Sequence, residues 1–365
     1  MTGVPRVQER LILLTKDQFG YHTDFFMYAK YLAHKFDVEV ICLDKGLSQF
    51  QVDGVTVNYI KSKGRLGRWL KLLLSILDKT ESSIVLVKYF PGCFLLRALR
   101  PKTPIILDVR TLSVDHIFLK RKIEDFILKA ESIVFRYVTL VSKQLKVKMW
   151  GKLDRYFVVR LGAEPTLESS GSVSFSCMDR IELLYVGTLH NRNIDQLVIG
   201  LHQFCSINPK NPYHLTVIGS GYRGEEAQIQ NLISRLHLES RVTFMGYVGR
   251  EHIGQHFANA DIGIVHVPNV SYFEVQPSTK LYEYWSYGLP VLASEYSMNV
   301  LEVSEGTGYL YPASAQGFCE ALGRILDKDL YFDRSLIAKK SSQNSWPKIV
   351  DSELIPVLSL SLQRT

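Results

Sequence analysis

The stretch Gln276-Pro-Ser-Thr-Lys-Leu-Tyr-Glu-Tyr-Trp-Ser-Tyr-Gly-Leu-Pro-Val-Leu-Ala-Ser294 holds the residues best spaced for chemistry. Pro277 punctuates its start, Ser278 or Thr279 can cap a helix, Gly288 ends that helix and Pro290 opens the next strand. A helix beginning there offers free backbone N–H groups and the positive end of its dipole to an anion. Lys280 adds a full positive charge. Thr279, Lys280 and Glu283 fall on one helix face. A carboxylate is electrostatically wrong for phosphate, so Glu283 suits a ribose diol, as the acidic residue of a dinucleotide site does. The plain alternative is a Lys280–Glu283 surface pair on an ordinary amphipathic helix. Cap, charge and helix exit agree on the site.

Gly219-Ser-Gly-Tyr-Arg-Gly224 is a Gly-x-Gly-x-x-Gly between a strand and a helix. A dinucleotide site would need an acid at the end of the next strand, but Arg241–Met245 ends at Gly246. Gly219 and Gly221 are therefore expected to form a tight turn lining a cleft. In the first half, Asp108-Val-Arg-Thr111 closes a strand and should aim Arg110 into the cleft. Gly20, His22 and Asp24 follow the first strand, and His22 and His116 could equally be satisfied loop residues. No His, Cys or carboxylate cluster has metal-ligand spacing.

Elements of the right kind surround these residues. Continuous apolar, β-branched runs recur at 10–15, 38–43, 56–60, 83–88, 104–109 and 138–142, with helical patterns between them. After 160–180, which is rich in Gly, Pro, Ser and Thr, the alternation resumes at 181–186, 214–218, 242–245, 261–267 and 290–293. Such alternation implies parallel sheets covered on both faces. The expected fold is thus α/β, two doubly wound domains facing a cleft, with ligands beyond the carboxyl ends of the strands. The boundary is expected near 165, giving domains 1–165 and 166–345. The last segment, Trp346–Leu360, reads as a helix that Pro356 should kink, and it is expected to pack back on the first domain.

The 365 residues suit two domains. Five scattered cysteines (Cys42, Cys93, Cys177, Cys205, Cys319) form no disulfide framework and are read as reduced thiols of a cytoplasmic protein. No apolar run approaches the roughly 20 residues that span a bilayer. Charge is uneven. Residues 1–165 hold 28 Lys+Arg and 16 Asp+Glu, a balance of +12, against 15 and 20, or −5, for the rest. The first half is expected to face something anionic, such as a membrane surface or a phosphorylated acceptor, unless its lysines are merely solvated. Trp69–Lys79, preceded by Lys61, Lys63, Arg65 and Arg68, could lie on such a surface or simply cover the sheet. Nucleic acid is not expected, since no aromatic-basic module appears.

Glu283-Tyr-Trp-Ser-Tyr-Gly-Leu-Pro-Val-Leu-Ala-Ser294 resembles the signature block of the retaining GT-B glycosyltransferases of family 4. Tyr185-Val-Gly-Thr-Leu-His-Asn-Arg192, Thr216-Val-Ile-Gly-Ser-Gly221, Val242-Thr-Phe-Met-Gly-Tyr247, Ala260-Asp261 and Gly306–Leu310 extend the resemblance in order through the C-terminal half. The N-terminal half is less similar. The resemblance implies two Rossmann-like domains, an N-terminal one for the acceptor and a C-terminal one for a nucleotide-diphosphate sugar. It also implies a hexosyltransferase that retains configuration without metal or cofactor, a UDP-sugar being favoured over a GDP-sugar. The acceptor would be a cell-envelope glycan or lipid-linked saccharide, reached from the cytoplasmic face of the membrane.

Carried over by residue, the resemblance makes Arg192 and Lys280 the diphosphate clamp and Glu283 the ribose partner. Met245 and Tyr247 would flank the base, and Gly187, Thr188, Ser278, Thr279 and Leu281 would line the donor. Arg110 and Glu274 join Arg192 and Lys280 as catalytic candidates, and Gly20, His22 and His116 join Arg110 toward the acceptor. The family's earlier Glu, eight residues before Glu283, is Val275 here, with Glu274 the nearest acid, and Asn193 stands where a Lys usually follows the Arg. Two other readings fit the alternation: another GT-B enzyme such as a nucleotide-sugar epimerase, or a non-catalytic two-lobed binding protein.

Overall fold

The computed structural model describes residues 9–115, 117–150, 154–166, 172–175, 178–221, 223–327 and 331–363. The chain divides into two compact units, Met1–Leu161 with Trp346–Thr365, and Gly162–Ser345.

In the first unit the order is β1 (Arg10–Thr15), α1 (Thr23–Leu32), β2 (Asp37–Leu43), β3 (Val55–Ile60), α2 (Arg65–Leu74), β4 (Ile84–Lys88) and α3 (Leu95–Leu99). It continues with β5 (Ile105–Val109), α4 (Phe118–Ser132), β6 (Tyr137–Leu140), α5 (Lys143–Trp150) and β7 (Tyr156–Val158). The strands form one parallel sheet, β3-β2-β1-β4-β5-β6-β7. Their Leu, Ile and Val side chains are buried on both faces in β1, β2, β4 and β5, which is why these segments read as unbroken apolar runs.

The second unit holds β8 (Ser172–Ser174), β9 (Ile181–Val186), α6 (Asp195–Ile207), β10 (Tyr213–Ile218), α7 (Glu225–Arg235), β11 (Val242–Gly246), α8 (Arg250–Ala258) and β12 (Ile262–Val265). After these come α9 (Thr279–Ser286), β13 (Val291–Ser294), α10 (Ser297–Glu302), β14 (Gly308–Tyr311), α11 (Ala315–Asp327), β15 (Tyr331–Asp333) and α12 (Arg334–Ser342). Six strands make a second parallel sheet, β11-β10-β9-β12-β13-β14. The expected class, two doubly wound α/β domains, is what the structure shows.

Two local expectations need correction. The segment 160–180, read as linker, contributes β8, which pairs antiparallel with β15. Three residues with one buried apolar side chain, Val173, are too short to show a period. At the C-terminus, α13 (Trp346–Ile349) runs through a π-helical stretch, Val350–Leu354, into α14 (Ile355–Leu362). Pro356 was expected to kink or shorten this helix. It sits instead in the first turn of α14, where its missing N–H matters least. The wider π turn, in which Ile355 N–H reaches the Val350 carbonyl, accommodates the junction ahead of it. Trp346 packs edge-on against Tyr28 of α1, with ring centroids 5.9 Å apart.

Candidate functional site

A doubly wound sheet binds ligands where strand order reverses direction, outside the carboxyl ends of the strands. In the second unit that point lies between β9 and β12. Two loops flank it, 187–194 after β9 and 266–278 after β12. Their side chains are the natural starting place for a site.

The first loop is laced to its neighbours by the backbone. Gly187 N–H donates to the Ile218 carbonyl at 3.0 Å, Leu189 N–H to Ser220 at 3.1 Å, and Gly219 N–H to Gly246 at 2.8 Å. The contact demands glycine: a Cβ on Gly219 would stand 1.9 Å from the Gly187 carbonyl oxygen. His190 bonds Glu225 across 2.5 Å, and that hydrogen bond holds the Glu225 carboxyl down at about 2. The Tyr185 hydroxyl donates to the Thr188 carbonyl at 2.8 Å. Asn191 and Asn193 take left-handed backbone, φ 56 and 53°, which asparagine tolerates best after glycine. They place Arg192 between them.

Arg192 is half-buried, its guanidinium 4.0 Å from the Phe273 ring centroid on the second loop. Among the described residues no carboxylate lies within ion-pair distance of it, and its Nη1 is buried with no hydrogen-bond partner. Burial pulls its pKa below the usual arginine value. A cation in that state costs stability unless something anionic completes it.

The second loop carries two more orphans. His266, at the end of β12, is buried. Its Nδ1 lies 2.8 Å from the Tyr311 hydroxyl while Nε2 has no partner. Burial, with the nearby Arg192 charge, lowers its pKa to about 4, so the ring is neutral at pH 7. Gln276 Oε1 is likewise buried and unpartnered, while Tyr296 donates to the Gln276 carbonyl at 3.2 Å. Sequence reasoning missed His266 and Gln276. The signal was available for His266: a polar residue closing the apolar run Ile262-Gly-Ile-Val265 stands where the strand-end rule points.

α9 follows this loop and is pinned to the sheet. Tyr284 accepts from Val186 N–H and donates to the Leu184 carbonyl, both at 2.9 Å. Gly263 makes room, since a Cβ there would stand 2.3 Å from the Tyr284 ring. Ser278 is the N-cap residue but, against expectation, its hydroxyl makes no capping bond. Leu281 is buried, so only its backbone could serve a ligand, and its N–H already donates to the Ser278 carbonyl at 3.3 Å. Lys280 and Glu283 form a direct ion pair, both partly exposed, so the plain surface-pair geometry is present in the free protein. Glu274 is exposed between buried Phe273 and Val275. Met245 and Tyr247 are exposed at the end of β11, the edge strand, two places from β9.

In the first unit the reversal falls between β1 and β4. Here the charges satisfy one another. Asp24 lies 3.6 Å from Lys88 and 3.2 Å from Arg110. Burial would raise its pKa, but these two cations bring it down to about 2. Asp17 meets Lys45 at 3.0 Å, Lys88 at 3.5 Å and His22 at 3.3 Å. His22 is half-exposed, and desolvation together with Lys88 lowers its pKa. Arg110 directly follows β5. Its side chain is buried, donating to the Val159 carbonyl at 2.8 Å and lying 3.6 Å from Asp108. Asp24 and Asp108 hold it there. Gly20, at φ 96°, lets the Phe50 ring approach to 2.1 Å of where a Cβ would be. His116 lies outside the described residues.

Among the described residues no group of three or more His, Cys, Asp or Glu could hold a metal ion. Among the described residues no helix is long and apolar enough to cross a membrane.

Residues 180–328, less than half of the chain, match the family model described as glycosyl transferases group 1. No curated protein sequence matches the chain. Among solved structures, Anabaena HepE in complex with UDP is similar at TM-score 0.72 and 15% identity, over 96% of this chain and 100% of that one. Sucrose-phosphate synthase from Thermosynechococcus elongatus has TM-score 0.68 and 15% identity, over 97% and 98% of the two chains. The apo lipopolysaccharide outer core galactosyltransferase WaaB has TM-score 0.68 and 16% identity, over 95% and 99%. At these identities the likeness shows a shared fold.

Proposed function

We propose that the chain is a glycosyltransferase that takes its sugar from a nucleotide-diphosphate donor held by residues 166–345. The observation that carries this reading is the half-buried Arg192 at the strand reversal, with no carboxylate partner among the described residues and a buried, unpartnered Nη1, close to His266, whose Nε2 is also unpartnered. A diphosphate supplies what Arg192 lacks, and charge-assisted hydrogen bonds to phosphate are the strong kind. The match of residues 180–328 to group 1 glycosyl transferases supports the same choice. HepE bound to UDP and to UDP-glucose supports UDP over GDP.

In this reading Lys280 exchanges its pairing with Glu283 for the diphosphate, freeing the carboxylate for the ribose diol. Backbone at Gly187, Thr188, Gly219, Gly221, Ser278 and Thr279 lines the donor. The bond from the anomeric carbon to the diphosphate breaks, and the acceptor oxygen bonds that carbon on the same face. The acceptor's proton passes to the departing phosphate. The protein's part is to position both partners and neutralise the charge that grows on the nucleotide. Family 4, retention, a hexosyl donor and independence of metal or cofactor complete the reading. Residues 1–165, with 346–365, would bind a cell-envelope or lipid-linked acceptor for polysaccharide biosynthesis, on the cytoplasmic face of the membrane.

Thermal unfolding with UDP, GDP and their sugars tests the donor, since a ligand that binds only the native state raises its stability by mass action. UDP and a UDP-hexose should raise Tm, and Arg192→Ala should abolish the rise. A chain indifferent to every nucleotide would not be this enzyme.

A further inference from the structure

α4 is amphipathic with its faces reversed. Only Leu128 and Ser132 of its fifteen residues are buried. Its acids turn inward onto loops: Glu124 accepts from the Ser113 hydroxyl at 2.5 Å, Asp125 from Ser113 N–H at 2.8 Å, and Glu131 from Gly92 N–H at 2.9 Å. Its large apolar residues turn outward. Phe118, Leu119 and Phe126 are 63, 68 and 70% exposed, and Ile123 and Ile127 are exposed with them. Single exposed leucines are ordinary, but five such side chains on one helix are a patch.

The patch has a neighbour. β3 to β4 and β5 to β6 both cross the sheet in the same direction, so right-handed connections put α2 and α4 on one face. β1 to β2 runs the other way and puts α1 on the opposite face. α2 and α4 also grip a common loop. Glu131 of α4 holds Gly92, and Trp69 of α2 lies so close to Gly92 that a Cβ would stand 2.6 Å from its ring. The Trp69 indole N–H donates to the Pro91 carbonyl at 2.9 Å. α2 in turn exposes Leu66, Leu70 and Leu74.

We propose that this face of the first unit docks on an anionic lipid surface, α4 entering the headgroup region with α2 beside it. Charge selects lipid over a second copy of the chain. Lys61 and Lys63 precede α2, Arg65 and Arg68 lie in its first turn, and α4 carries Lys120, ion-paired to Asp115, and Lys122, whose ammonium is 5.5 Å from the Phe118 ring centroid. Residues 1–165 carry 28 Lys+Arg against 16 Asp+Glu. Two such faces would repel, whereas exposed Phe and Leu among lysines on a helix is the pattern of an interfacial element. Each basic residue near an anionic surface strengthens binding about fivefold, an effect that salt screens. This inference goes beyond the donor site and does not depend on it.

The test is cosedimentation of the full chain with vesicles of phosphatidylcholine, alone or with phosphatidylglycerol at three to one, at low and high salt. The chain should pellet with the anionic vesicles at low salt only. Leu119→Ser with Phe126→Ser should weaken that binding about tenfold or more, and Lys122→Glu should weaken it about fivefold or more. All three positions are exposed, and unchanged Tm confirms the fold. Ile207→Ser, an exposed apolar site in the second unit, should bind as the parent does. Equal binding to both vesicles, binding to neither, or full binding by the double variant overturns the proposal. So does a parent that is dimeric without lipid and a double variant that is monomeric, which would make a second copy the occupant. UDP binding measured on the same samples separates this outcome from the fate of the donor site.

Discussion

Arg192→Met should make the free protein more stable and the nucleotide complex weaker. The side chain keeps an unbranched apolar stem but loses the guanidinium that lies over Phe273, and with it the charge. In the free protein that charge is half-buried, with one buried nitrogen unpartnered and no carboxylate within ion-pair distance among the described residues. Leaving such a group unsatisfied costs about 1–3 kcal/mol. The Phe273 ring, 4.0 Å away, returns about 0.5–2 kcal/mol of it. The difference favours methionine by about 1 kcal/mol, or roughly 2–4 °C in Tm for a domain of this size. With UDP the sign reverses. Losing charge-assisted hydrogen bonds to a diphosphate removes about 1.5–3 kcal/mol, which is about a 10- to 150-fold rise in Kd. Scanning calorimetry of the free protein and titration with UDP read the two effects separately. A variant that unfolds earlier yet binds UDP as before would show that Arg192 is a structural residue, and the reasoning would be wrong.

Four further outcomes follow from the geometry. Glu283→Ala should weaken UDP binding while costing under about 1 kcal/mol of stability, because the exposed pair with Lys280 contributes little; Lys280→Ala should lower turnover more than donor affinity, a split read in kcat against KM. His266, neutral in the fold with a pKa of about 4 against 6.5 unfolded, contributes about 3 kcal/mol above pH 6.5 that is lost as pH falls toward 4, and His266→Leu should remove that slope from denaturant-unfolding curves. Asp24, held at about 2 against 3.8, contributes stability above pH 3.8 that fades as pH falls toward 2, so Asp24→Asn should cost about 3–5 kcal/mol at pH 7 and flatten the acid limb.

What could be read in the chain depended on whether a signal was local. Strands buried on both faces announced themselves as runs of Ile, Leu and Val, as at Leu11–Leu14 and Ile262–Val265. Short elements such as β8 and α3 span too few residues for a period and acquire their shape from partners far away. Pro356 read as a kink because the sequence cannot show that a π turn precedes it. The place of Arg110 after a strand was legible, but not its burial, because one of the carboxylates that hold it, Asp24, lies 86 positions earlier. In α4 the apolar positions were visible, but not that Ser113 and Gly92 claim its acidic face and leave the other uncovered.

The two units show how one topology reaches two electrostatic outcomes. Each sheet reverses direction once beside its first strand, β1 against β4 and β9 against β12, and each places cations just beyond. In the first unit Lys88 and Arg110 face Asp17, Asp24 and Asp108, all within 3.6 Å of one or the other. That crevice neutralises itself, and an anion arriving there would have to displace carboxylates already in place. In the second unit Lys280 has one carboxylate, which a ribose could take over, and Arg192 has none among the described residues. A site for an anionic ligand needs charge left uncompensated in the fold, and the ordinary cost of doing so is lost stability. By that criterion the proposed donor fits Arg192 better than the first unit's crevice. What unit 1 offers at its own reversal is a half-exposed imidazole, His22, on a rigid ionic base, which suits hydrogen bonds to a neutral hydroxyl better than capture of a phosphate.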